Sequence, residues 1–112
     1  MERLKRRQDF VAAAKGGYAA MPSMVVQARD RKDEAPPRVG FTATKKLGNA
    51  VVRNRVKRRL REIVRLGLAQ MARPGFDYVL IGRAPAQTRT FTELAQDLSA
   101  AIERLHRSKD NP

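Results

Sequence analysis

The sequence predicts a single α+β domain of about three to four strands and three helices, organised around a βαβ crossover. Three observations carry this reading. Residues 38–44 alternate apolar and polar side chains, the period of a strand. Residues 50–72 repeat apolar side chains every three to four positions, the period of a helix. Residues 76–82 form a near-continuous apolar run of the length of a buried strand. With 112 residues, 42% of them hydrophobic, the chain can bury one modest core.

Taken in order, Asp9 is placed to cap a short helix reaching about Lys15, ended by the Gly16-Gly17 pair. Pro22 precedes Ser23–Ala28, a β-branched run read as a strand with Val25 and Gln27 on one face. Residues 29–37 are a charged, Pro-ended, hairpin-like loop whose composition suggests mobility. In the strand Arg38–Thr44, Val39, Phe41 and Ala43 should face the core. Arg38, Gly40, Thr42 and Thr44 leave a second face of small polar side chains that a ligand could approach. Asn49 is a plausible N-cap for a helix from Ala50 to about Ala72, where Pro74-Gly75 ends it. Its apolar arc is Val52, Val56, Leu60, Ile63, Val64, Gly67 and Met71. Arg53, Lys57 and Arg61 recur every four residues along one flank, close to Asn54. Arg55, Arg58, Arg59 and Arg65 cover the back and the opposite flank. Arg53 falls inside the apolar arc, which requires the first turn to project past the core into a cleft, because a buried unpaired guanidinium is very costly. Phe76–Gly82 is the central strand. Thr90 and Glu93 form a capping box for a last helix with the stripe Leu94, Leu98, Ala101, Ile102 and Leu105. Residues 1–8 and 108–112 read as loose ends.

Charge is the dominant compositional fact. The net charge is +13, and residues 38–65 hold ten bases against one acid, Glu62. Within them Lys45 to Arg61, KKLGNAVVRNRVKRRLR, contains no acid at all. A solvated helix usually mixes its signs so that acids pair with bases. A field this concentrated is built to meet a polyanion, and nucleic acid is the expected one. An anionic membrane surface would also attract a basic amphipathic helix, but the apolar face here carries Val and Leu and no interfacial Trp or Phe. No apolar run approaches the roughly 20 residues that span a bilayer. The N-terminal MERLKRRQDF lacks the apolar stretch of a signal peptide, so a cytoplasmic location is expected.

Catalytic constellations are missing. There is no cysteine, which excludes disulfides, thiolate metal sites and a thiol nucleophile. His106, the only histidine, reads as a surface residue near the end of the last helix. Ser23, Ser99 and Ser108 have no evident base in sequence, and Asp30, Asp33 and Glu34 sit in a solvated loop. Gly48 lies just before a helix N-terminus, where backbone N–H groups could hold a phosphate; capping by Asn49 is the preferred account. No catalytic residue and no protein-bound metal or cofactor are expected.

The spacing of Leu47, Gly48, Ala50, Arg53-Asn54-Arg55-Val56-Lys57-Arg58 and Leu60-Arg61 closely resembles the Arg-Asn-Arg motif of the protein subunit of bacterial ribonuclease P. The resemblance extends to Arg38–Lys46 and, more loosely, to Asp9-Phe10 and Tyr78–Arg83, so it spans most of the chain. It implies an α/β sandwich-like arrangement, a mixed sheet flanked by helices, and a left-handed βαβ crossover. It also implies a division of labour in which the RNA subunit cleaves precursor tRNA with Mg2+ and the small basic protein binds that RNA and the 5′ leader. Carried over residue by residue, the leader cleft would comprise Phe10, Val25, Gln27, Thr42, Thr44, Arg53, Asn54, Lys57 and Arg61. Lys45, Lys46, Arg55, Arg58, Arg59 and Arg65 would contact the catalytic RNA, and Arg3, Lys5, Arg6 and Arg7 could add phosphate contacts. Two departures matter. Ala14 stands where many relatives place a second aromatic, and Gln27 where some carry a tyrosine, so leader contacts should lean on phosphates and hydrogen bonds. Phe10 has an equal reading as a core residue anchoring its helix. The alternatives are a ribosomal protein or general RNA chaperone, and a DNA-binding module. The last lacks a dimerisation heptad or helix-turn-helix pattern, so no DNA partner is expected.

Overall fold

The two strand patterns and the helix between them resolve, in the computed structural model, into one sheet with helices on both faces; the structure describes residues 1–110. In chain order the elements are β1 (Glu2–Arg3), α1 (Arg7–Ala14), β2 (Gly17–Ala20), β3 (Met24–Asp30), β4 (Arg38–Thr42), α2 (Ala50–Ile63), α3 (Ala69–Met71), β5 (Phe76–Gly82) and α4 (Phe91–Asp110). The strands order as β1-β4-β5-β3-β2. β4 runs parallel to β1 and β5, while β3 is antiparallel to β5 and β2, so the sheet is mixed. Five strands replace the expected three to four. The additions are the two-residue β1 and the Gly- and Ala-rich β2, too short or too poor in β-branched side chains to show a strand period.

One sheet face carries Met24, Val26 and Ala28 of β3, Val39 and Phe41 of β4, and Phe76, Tyr78 and Leu80 of β5. Val56, Leu60, Ile63, Val64 and Leu68 cover it from one side, and Leu94, Leu98, Ala101 and Ile102 of α4 from the other. α2 approaches closely because Gly82 has no side chain: a Cβ there would lie 2.4 Å from Val56 Cγ1. The second face holds a smaller cluster of Leu4, Ala13 and Val79, with Phe10 and Ile81 packed against it. α1 and α2 therefore lie on opposite faces of the sheet.

Several expectations are corrected. Residues 1–8 are not a loose end: β1 pairs at Glu2↔Arg38 and Arg3↔Val39, and Leu4 is buried. At the other end α4 continues to Asp110, and residues 111–112 lie outside the described residues. Asp9 is not the cap of α1. The N-cap is Arg6, which makes no side-chain cap bond, and Asp9 instead faces Arg29 and Arg38 at 3.7 and 3.6 Å. The helix after Asn49 is not α throughout: residues Val64–Leu68 adopt π geometry before α3, and Leu66 is left exposed there. Loop 29–37 is anchored rather than free. Arg31 donates to Asp77, Asp33, and the Ala35 and Pro36 carbonyls, while Arg31 N–H bonds Gly75 O and Gly75 N–H bonds Ala35 O. His106 is buried, with Nε2 2.6 Å from the Tyr78 hydroxyl and its ring edge-on to Phe76. Ser23 has a carboxylate beside it: its Oγ donates to Asp97 at 2.6 Å, with both side chains buried.

Candidate nucleic-acid interface

Strand register assembles the first part of the interface. Val25, Ile81 and Thr42 align across β3, β5 and β4, and Gln27, Val79 and Gly40 form the next row. All six lie on the face that carries α1. Phe10 sits over Gly40, where an added Cβ would come 2.6 Å from its ring. The ring thus pins α1 to the sheet while remaining only half-buried. The third row is Arg29, Asp77 and Arg38. Asp77 is fully buried and accepts two 2.8 Å bonds from Arg38 as well as one from Arg31. The hydrogen bonds that Arg38 donates to Asp77 hold its guanidinium above its ordinary pKa, against the opposing effect of burial. Asp9 closes this cluster from α1. These arginines are neutralised locally, and they clamp α1 at one end of the face while Val25, Gln27, Thr42 and Ile81 stay half-exposed beside it.

The second part is the α2 stripe. Asn49 caps the helix as expected, its side chain accepting the Val52 N–H at 3.0 Å. Arg53 and Lys57 are half-buried, and Asn54 and Arg61 exposed. Arg53 Nε is shielded from solvent without a hydrogen-bond partner among the described residues. The sheet-face residues and the stripe belong to opposite faces, so they are related around the outer margin of β4 rather than as two walls of one slot. That margin is open. β1 pairs only with Arg38 and Val39, leaving Gly40–Thr42 without a strand on that side, and exposed Thr44 follows at the strand end.

The remaining candidates divide. Lys45 and Lys46, in a 3₁₀ turn before α2, and Arg55 and Arg58 on the helix are exposed. Arg59 is not. It is half-buried, donates to the Arg89 carbonyl, and stacks over Phe91 at 4.6 Å. Arg89 in turn pairs with Asp97 at 3.0 Å. Arg59 thus joins α2 to α4, a role invisible to the helical wheel because its partners are some thirty residues away. Arg65 is exposed but forms two bonds with Glu62, at 2.6 and 3.2 Å, which hold that carboxyl below its usual range. Sequence reasoning assigned no role to Phe41 beyond the core, yet Arg3 lies over its ring at 5.5 Å. Arg3, Lys5, Arg6 and Arg7 are all exposed. Among the described residues no three His, Asp or Glu side chains gather as a metal site, and no helix is long and apolar enough to cross a membrane.

Comparison with known proteins adds the context. The family model described as Ribonuclease P matches residues 1–106. A ribonuclease P protein component of Ruegeria pomeroyi is 53% identical over 110 residues, covering 95% of this chain and 87% of its own. One from Gluconacetobacter diazotrophicus is 48% identical, covering 91% of this chain and 89% of its own. Among solved structures, the Staphylococcus aureus RNase P protein superposes with a TM-score of 0.76 at 30% identity, over 93% of this chain and 94% of its own. That of Thermotoga maritima gives 0.72 at 28%, over 96% and 97%.

Proposed function

The chain belongs to the ribonuclease P protein family, and from that premise we propose how its residues serve the ribonucleoprotein that removes the 5′ leader from precursor tRNA. It is the RNA-binding subunit, with the ribonuclease P RNA and precursor tRNA as partners. The RNA carries the chemistry with Mg2+, and the protein contributes no catalytic group. The leader lies around the outer margin of β4. Phe10, Val25, Gln27, Thr42 and Thr44 meet its bases and sugars, and Arg53, Asn54, Lys57 and Arg61 meet its phosphates. A single strand needs a stacking surface and a cationic rail along its backbone. The observation that carries this reading is Arg53, whose Nε is shielded from solvent without a hydrogen-bond partner among the described residues, on a helix packed beside a strand that lacks a neighbour from Gly40 to Thr42. Lys45, Lys46, Arg55 and Arg58 hold the catalytic RNA. Cations that neutralise phosphates lower the Mg2+ needed to bring two RNAs together. The site of action is the cytoplasm.

The test is cleavage of precursor tRNA by a bacterial ribonuclease P RNA at low Mg2+, with and without this protein. The expected result is restored cleavage at the correct 5′ site. Tight RNA binding with unchanged cleavage would contradict the proposal.

A further inference from the structure

A groove of about 280 Å3 opens between β1, β4 and the far end of the α2 helix. Phe41, Val64 and Ala69 floor it, and Arg3, Arg61 and Arg65 rim it. Its shape depends on the π segment. Val64 and Ala69 are five residues apart, a spacing that an α-helix does not place on one line but a π turn does. Phe41 is half-buried, so part of its ring faces the groove. No acid lines the groove. Glu62 engages Arg65, whereas neither Arg3 nor Arg61 has an ion pair among the described residues.

We propose that this groove receives one unpaired nucleotide of the 5′ leader, farther from the cleavage site than those held by Arg53 and Lys57. The proposal rests on the leader-binding reading above and extends it to a second, separate pocket. Continuity with the stripe selects the leader as the occupant, because Arg61 is at once the last residue of the stripe and part of the rim. From Arg53 to Arg61 the helix rises about 12 Å, a span of about two to four nucleotides. A strand following the stripe therefore arrives at Phe41 with its next base. The chemistry suits a base: an aromatic face below, the planar guanidinium of Arg3 above, and Arg61 for the phosphate. The Arg3 side chain is exposed, although its strand is paired at Arg38 and Val39, so the guanidinium alone can swing aside to admit the base.

The test uses the reconstituted holoenzyme and precursor tRNAs whose leaders lengthen one nucleotide at a time, with 2-aminopurine at the terminal position. Phe41→Leu keeps an apolar floor but removes the ring, and Arg3→Ala removes the cover without touching the core. In the unsubstituted protein, affinity should rise by about fivefold or more when the leader first reaches the groove, with quenching of that 2-aminopurine. Both variants should lose this increment and the quenching while binding shorter leaders as before. An identical length dependence in all three proteins would overturn the proposal. So would a Phe41→Leu loss that is equal at every leader length and absent in Arg3→Ala, which would make Phe41 a core residue only. Failure of the unsubstituted holoenzyme to prefer precursor over mature tRNA at any leader length would overturn the leader-binding reading itself, and the groove with it.

Discussion

Tyr78 stands in the middle of the core with a polar tip, and its hydroxyl explains why the only histidine is buried. The oxygen accepts the Arg73 backbone N–H at 3.0 Å and shares a second hydrogen bond, 2.6 Å long, with His106 Nε2. Three elements, β5, α4 and the turn after α3, are tied at this point. Burial pushes the phenol above its ordinary value of 10.0. The folded state therefore retains a proton that the unfolded chain releases near pH 10. Stability from this group is fully present below pH 10 and falls as pH rises towards the folded-state value. Tyr78→Phe should cost about 1–3 kcal/mol at neutral pH and flatten the alkaline limb, read as unfolding midpoints across a pH series. The buried placement of His106 was not legible in the sequence, because a lone histidine late in an amphipathic helix carries no sign of a tyrosine twenty-eight positions away. Phe10 shows the opposite case. Its identity suggested either a core or a ligand role, and the structure shows the packing role: the ring lies over the bare backbone at Gly40 and stays half-buried.

At the scale of elements, the α2–α4 contact separates two kinds of arginine that the sequence presents side by side. Arg58 is exposed, whereas Arg59 is enclosed by Phe91 and the Arg89 carbonyl. Arg89 continues to Asp97, which accepts from both the Ser23 N–H and its hydroxyl. This chain of contacts fixes α2 against α4 and the start of β3, and so fixes the direction of the Arg53–Arg61 stripe. Arg59→Ala should lower stability by about 1–3 kcal/mol through the lost stacking and hydrogen bond. Arg58→Ala should leave the unfolding midpoint unchanged and weaken binding to the catalytic RNA. Chemical denaturation and filter binding on the two variants would check the contrast. The wheel grouped the two residues because it records direction from the helix axis and nothing of what stands beyond. Elements with their own strong period were legible: β5 matches the expected Phe76–Gly82 end to end, Asn49 caps α2, and the Thr90–Glu93 box closes with bonds of 2.9 and 3.1 Å. Elements defined by tertiary partners were not, as β1 and the π segment illustrate.

Over the whole molecule, the +13 charge is not a uniform coat. Arg29, Arg31 and Arg38 are absorbed by Asp9, Asp33 and Asp77 at one end of the sheet. Lys45, Lys46, Arg55 and Arg58 have no ion pair among the described residues. Polyanion binding was legible from composition alone, because unpaired cations on one segment have few other uses. Which cations stay available depended on the fold. RNA affinity should fall steeply with salt, and each phosphate contact removed should flatten the log–log slope by about 0.7–0.9. Alanine at Lys45, Lys46, Arg55 and Arg58 together should therefore reduce the slope for the catalytic RNA by about three to four. An unchanged slope would move the RNA-binding surface elsewhere.

The most direct test of how this fold serves its partner is the affinity of the reconstituted holoenzyme for precursor tRNA compared with mature tRNA, measured with Arg53→Ala and Lys57→Ala. Only the precursor has a leader. The account predicts that both variants weaken precursor binding by about fivefold or more and leave mature tRNA binding nearly unchanged. Equal losses for the two RNAs would contradict it, showing that the stripe grips tRNA or the catalytic RNA in general and that the leader is held elsewhere.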